Sequence, residues 1–148
     1  MILTTLVVLS EKLPLLSVSA SGESMSRSFM CDYGKNIYLG ENVFVNCHSY
    51  FMDGAKITIG NDVFIGPFCG FYTATHPLDY KNRNKGLEKA LPITVGNNCW
   101  FGANISVMPG VTIGNGCVIA AGSVVTKDIP DHCMVAGVPA KVMKVIDQ

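Results

Sequence analysis

Charge is scarce in this chain of 148 residues: 15% of it is Asp, Glu, Lys or Arg, and 11 basic residues are matched by 11 acidic ones. No basic excess remains to neutralise phosphates, which excludes the usual electrostatic basis of nucleic-acid binding. A long uninterrupted apolar run is also missing. The opening MILTTLVVLSEKLPLLSVSA is cut by Glu11 and Lys12 after about nine apolar-leaning residues, where a bilayer span takes about 20. No basic residue precedes that run, as a secretory signal requires, although Ser17-Val18-Ser19-Ala20 has the form of a cleavage site. Cysteines stand at 31, 47, 69, 99, 117 and 133, yet none form a C-x-x-C pair and no small loop-rich composition surrounds them. We therefore expect reduced thiols in a cytoplasmic protein without a membrane partner.

What the chain has in plenty is apolar residues, 49%, and 15 glycines. A chain of this size buries roughly 68% of its extended surface, enough for one core. From residue 95 onward an aliphatic or aromatic residue returns every six positions: Val95, Phe101, Val107, Ile113, Ile119, Val125. Four residues after each comes a small or apolar partner: Cys99, Ile105, Val111, Cys117, Ser123, Ile129. The same register runs upstream through Leu39, Val45, Phe51, Ile59, Ile65 and Phe71, with partners Val43, Ser49, Ala55, Val63, Cys69 and Thr75 and two extra residues near Ala55–Thr58. Strict alternation of a strand does not reset every six residues, so the chain must turn at each unit. Short sides joined by bends close into a coil, and each coil buries its faces only by stacking on the next. Glycine after the repeat residue suits a corner, through positive φ or close stacking.

The gap from Phe71 to Val95 is still a multiple of six, but HPLDYKNRNKGLEKALP lacks apolar residues where the register needs them. A polar loop, about 77–91, is expected to project from the solenoid, and loops on rigid scaffolds often carry function. His76 enters this loop ahead of Pro77, which biases it toward extended backbone. By position alone an imidazole there is more often an ordinary surface or interface histidine than a general base near neutral pH.

The segments CDYGKNIYLGENVFVNC, YTATHPLD, GLEKALPITVGNNCWFGANISVMPGVTIG, AAGSVVTKDIP and AGVPAKV resemble the galactoside and maltose group of hexapeptide-repeat O-acetyltransferases. The resemblance implies an all-β fold, a left-handed parallel β-helix with one external loop and a short C-terminal tail. It makes residues 1–30 an N-terminal segment, short relative to the family, and 31–148 the β-helix domain. It also implies an acetyl-coenzyme A dependent transfer of acetyl to a hydroxyl of a sugar or similar acceptor, with His76 as general base. Homotrimers with sites between subunits are implied as well.

By the same resemblance Asp32, Asn46, Asp53, Glu88 and Trp100 face the acceptor. Read without it, Asn46 is equally a ladder residue at a corner, Asp32 a turn residue and Glu88 a solvated loop charge. Trp100, the one tryptophan, is expected to point outward, flanking the acyl arm or packing a subunit interface. Gly102 and Ala103 lie where the family meets the thioester oxygen; Ala103 replaces a common serine, so backbone N–H must suffice. Asn46, Trp100, Ala121, Thr126, Lys127, Lys141 and Lys144 complete the implied coenzyme A contacts, with lysines offering point charges rather than the fork of arginine. Zinc enzymes that share this β-helix use a close histidine pair; His48, His76 and His132 provide none, so no metal is expected. A catalytically weak solenoid that serves binding or assembly is the alternative.

Overall fold

Each repeat unit forms a strand of two or three residues followed by a corner, and three units complete one coil. In the computed structural model, which describes residues 29–147, equivalent strands of successive coils pair in parallel and build three flat faces. The expectations for the apolar N-terminal run concern residues 1–28 and lie outside the described residues. Face one comprises Met30–Cys31, Tyr50–Met52, Gly70–Tyr72, Ser106–Val107 and Val124–Val125. Face two comprises Ile37–Leu39, Ile57–Ile59, Ile93–Val95 and Thr112–Ile113. Face three comprises Phe44–Val45, Phe64–Ile65, Trp100–Phe101, Val118–Ile119 and Cys133–Ala136. The C-terminal tail, Lys141–Val145, folds back antiparallel along the edge of face three. We call the corner between faces one and two edge one, that between two and three edge two, and that between three and one edge three.

Alternate residues of a strand point to one side, so both residues of each spaced pair enter the prism. Ile57 and Ile59, Ile93 and Val95, Ile105 and Val107, and Cys117 and Ile119 are all buried, while Thr58 and Thr94 between the first two pairs are not. Phe51 stacks on Phe71 of the next coil with ring centroids 4.9 Å apart, and Phe101 follows at 5.6 Å. All six cysteines are free, and four are buried. The thiols of Cys69, Cys99 and Cys117 donate to the carbonyls of Gly102, Gly114 and Pro130, each at 3.1 Å, which satisfies a weak donor that would otherwise be stranded in the core.

Two of the expected interior partners are not interior. Ala55 is half-buried and Thr75 exposed, and Asp53 and Thr73 fill the corresponding places instead. The extra residues after Phe51 and the loop after Phe71 break the register there, and the polar side chains are accepted because each is bonded: Thr73 Oγ1 donates to Met52 O at 2.5 Å. The role of the corner glycines also differs from one of the two expectations. Left-handed backbone belongs to Asn42, Asp62, Asn98 and Asn104, two residues beyond the glycines. Gly60 and Gly96 are required by close approach: a Cβ on Gly60 would lie 2.7 Å from the Gly96 carbonyl carbon.

Edge two is sealed by side chains. Asn61 Oδ1 accepts the N–H of Glu41, Asn97 Oδ1 that of Asn61, Asn115 Oδ1 that of Asn97 and Asp131 Oδ1 that of Asn115, all at 2.8–2.9 Å. Backbone donors that the turn leaves without ladder partners are thereby satisfied, one coil to the next. Among the described residues no helix is long and apolar enough to cross a membrane.

Candidate active site

The external loop leaves the prism at edge one. Its stem is a two-residue antiparallel pairing of Ala74–Thr75 with Lys89–Ala90, and Leu91 N donates to Thr73 O at 2.8 Å to close it. The expected span of about 77–91 therefore begins earlier, at residue 74, and the loop is not wholly irregular. Asp79 accepts from the N–H groups of Lys81 and Asn82 and caps a single helical turn, Tyr80–Arg83, the standard answer to unpaired donors at a helix start. This framed loop presents His76 with its side chain half exposed.

His76 Nδ1 lies 3.0 Å from the carbonyl oxygen of Leu87. A carbonyl only accepts, so Nδ1 carries the hydrogen, and in the neutral imidazole the lone pair is on Nε2. The Glu88 carboxylate sits 3.5 Å from Nε2, with both side chains about half exposed (52% and 50%). Glu88 thus faces the basic nitrogen, and the orienting contact comes from the neighbouring backbone carbonyl.

Two more carboxylates occupy edge one in the preceding coils, and their environments are opposite. Asp53 is fully buried; its oxygens accept from Tyr33 N at 2.8 Å and Asn36 N at 3.2 Å. Burial pushes its pKa up, but the backbone donors of the 33–36 turn outweigh burial and hold it below its ordinary value. A carboxylate so enclosed clamps the first turn and has no face left for a ligand. Asp32 is exposed and accepts from the Tyr50 hydroxyl on one oxygen, Oδ1.

Face three carries an open groove of about 460 Å³ lined by Phe44, Asn46, Phe64, Ile65, Gly66 and Trp100. Trp100 points outward as expected, 57% exposed, and Phe64 beside it is 50% exposed. Asn46 Oδ1 accepts from Cys47 N at 2.8 Å, so its carbonyl stabilises its own corner and its amide N–H₂ is the group left to meet a ligand. The local-turn and ligand-facing readings of Asn46 are therefore compatible.

Edge three lacks the sealing seen at edge two. Gly102 N–H is consumed by Ile119 O at 2.9 Å, which removes it as a donor to a thioester oxygen and corrects the expectation for that atom. Among the described residues no acceptor meets the N–H of Ala103 or Ala121; for Ala103 the reason is that Ala121 stands where edge two has Asn115, the acceptor of Asn97 N–H. Gly102 matters through space: a Cβ there would lie 2.8 Å from Ala121 N. Lys141 pairs with Ala136 near the lower end of this edge and Lys144 with Met134 on face three, both exposed. Thr126 and Lys127 follow Val124–Val125 and stand on edge one, two coils beyond the loop.

The structure thus joins His76 with Glu88, and Asn46 with Trp100, but does not join the two groups. Asp32, Asp53, His76, Thr126 and Lys127 line edge one; Asn46, Gly102, Ala103 and Ala121 line edge three, with Trp100 on the adjoining face. The width of face one separates them. The three histidines occupy three different edges: His48 stacks on Phe68 at edge three, His76 is in the edge-one loop and His132 at edge two. Among the described residues no three His, Cys, Asp or Glu side chains are placed to hold a metal ion.

Reasoning from sequence missed Leu87, whose contribution is a backbone carbonyl and leaves no side-chain signature. It also missed Phe44 and Phe64, which occupy the outward position of their strands and so repeat in register with Trp100: Phe64 pairs with both. That register was the available signal.

Residues 92–127 match a family model described as the hexapeptide repeat of succinyl-transferase. The chain is similar to a Staphylococcus aureus (strain MRSA252) protein provisionally named an acetyltransferase, 59% identical over 133 residues, covering 90% of this chain and 67% of that one. Among solved structures it resembles a maltose O-acetyltransferase from Clostridium difficile 630, with TM-score 0.81 and 46% identity over 82% of this chain and 65% of the other. A Vibrio cholerae hexapeptide-repeat acetyltransferase complexed with acetyl-coenzyme A is similar at TM-score 0.79 and 42% identity, over 81% of this chain and 66% of that one. The chain therefore spans about two thirds of the length of these relatives. The likeness agrees with the architecture, an all-β left-handed parallel β-helix.

Proposed function

Because the chain belongs to the family of hexapeptide-repeat acetyltransferases, we propose that it moves an acetyl group from acetyl-coenzyme A to a hydroxyl of a sugar or similar small acceptor. The observation that carries this reading is the 3.0 Å contact between His76 Nδ1 and Leu87 O, which in the neutral imidazole places the lone pair on Nε2 and fixes the ring's direction. Nε2 takes the proton of the acceptor hydroxyl as its oxygen attacks the thioester carbonyl. Negative charge that develops on the carbonyl oxygen is met by the unused N–H of Ala103 and the amide of Asn46, donors already in place before reaction. The imidazolium, beside Glu88, then returns its proton to the departing thiolate. Maltose as the substrate of one similar enzyme and acetyl-coenzyme A bound to another support this assignment.

The two-column layout supports a site shared between copies. His76 on edge one of one subunit faces Asn46, Trp100 and Ala103 on edge three of the next, and a ring of three such contacts closes. The pantetheine arm runs along edge three past Ala121 toward Lys141 and Lys144, while Thr126 and Lys127 come from the subunit that supplies His76. A cytoplasmic setting suits the free thiols.

Thiol release from acetyl-coenzyme A, measured across galactoside, glucoside, maltose and amino-sugar acceptors, tests the reaction. Mixing His76→Ala with Trp100→Ala subunits tests the sharing: hybrid trimers regain activity only if the two residues act from different chains. Failure to bind coenzyme A sinks the enzyme reading in favour of a binding or assembly module.

A further inference from the structure

We infer that Tyr50 is a positioning residue for the acceptor: its hydroxyl holds one oxygen of the Asp32 carboxylate and leaves the other for a hydroxyl of the incoming polyol. The inference rests on the acetyltransferase reading above. Of the carboxylates that edge one carries in the two coils before the loop, Asp53 has both oxygens occupied by backbone donors and is fully buried. Asp32 is exposed, its Oδ1 bonded to Tyr50, and among the described residues Oδ2 has no partner. It stands on the same edge as His76, so of these two carboxylates it is the one that a hydroxylated ligand can reach.

Tyr50 is itself held in place. It lies on the outward side of face one, and its partner in the next coil is Gly70. The missing side chain makes room for the ring of Tyr72, which any Cβ on Gly70 would strike. That ring leans toward Tyr50 with centroids 6.2 Å apart and planes at 49°. Tyr72 is four residues before His76, so one rigid segment buttresses the tyrosine and leads to the base. The Tyr50 phenol is pushed up to about 12, chiefly by the hydrogen bond to Asp32, so it remains a donor throughout the working pH range. A hydrogen bond to a charged group is stronger than a neutral one and fixes direction as well as distance.

Steady-state kinetics of Tyr50→Phe, which keeps the ring and removes the hydroxyl, test the inference with Asp32→Ala and the double variant alongside. We expect the acceptor KM to rise about tenfold in Tyr50→Phe while kcat and the acetyl-coenzyme A KM stay within about twofold. In the Asp32→Ala background the same substitution should add nothing, since Tyr50 acts through Asp32. An unchanged acceptor KM in an otherwise active enzyme, or a full further loss in the Asp32→Ala background, overturns the positioning role alone. A wild-type protein that transfers acetyl to no acceptor removes the underlying reading and this inference with it.

Discussion

Leu87 fixes the tautomer of His76: its carbonyl oxygen sits 3.0 Å from Nδ1, eleven residues along the loop. Because the contact is a main-chain one, it survives any substitution at 87 that leaves the hairpin stem intact. Removal of the imidazole is different. His76→Ala should lower kcat by about 10²–10⁴ with folding unchanged, as loss of a general base does. Glu88→Gln should cost no more than about fivefold, because a half-exposed carboxylate beside the imidazolium that forms during transfer contributes only about 0–1 kcal/mol. Thiol-release rates for the two variants, with circular dichroism as a folding control, check both; equal losses would make Glu88 part of the chemistry.

Asp53 ties the first turn to the solenoid. Burial works against its ionised form, yet the donors of the 33–36 turn win and its folded pKa lies below the ordinary 3.8. A depressed carboxyl contributes stability that is present above the unfolded value and is lost as pH falls through the folded one. Denaturant titrations should therefore show stability declining below about pH 4 more steeply in the wild type than in Asp53→Asn. At pH 7 the variant should be less stable by about 1–3 kcal/mol, since an amide nitrogen meets an N–H that needs an acceptor.

Asn97 belongs to the ladder that seals edge two. Its Oδ1 accepts Asn61 N at 2.8 Å, and Asn97→Ala removes that acceptor. The expected cost is about 1 kcal/mol in urea unfolding, with activity retained because edge two carries no part of the proposed site.

Ala121 offers the converse experiment. Asparagine at this place would supply an acceptor to Ala103 N–H, just as Asn115 does for Asn97 at 2.9 Å. Ala121→Asn should leave stability unchanged or raise it by up to about 1 kcal/mol, while the acetyl-coenzyme A KM rises about tenfold or more. A variant that binds the donor as well as wild type would show that edge three does not need its open N–H groups.

The six-residue period carried the stacked coil and its interior by itself, while the left hand came from motif resemblance. Val95, Phe101, Val107, Ile113, Ile119 and Val125 all fall inside the prism, because a coil that cannot bury its faces alone leaves only one way to stack. The period also told where it failed, so the loop that holds His76 was legible as a gap in the register. Individual site residues were legible through motif resemblance, not through the pattern. Tertiary structure alone decided how those residues are grouped. It enclosed Asp53 and left Asp32 open, since burial depends on how the 33–36 turn folds across the next coil. It consumed Gly102 N–H in a ladder while leaving Ala103 N–H free, a distinction between adjacent backbone donors that no side-chain alphabet records. And it placed His76 and Asn46 on different edges of one prism, because an edge is set by position within the coil and not by separation along the chain.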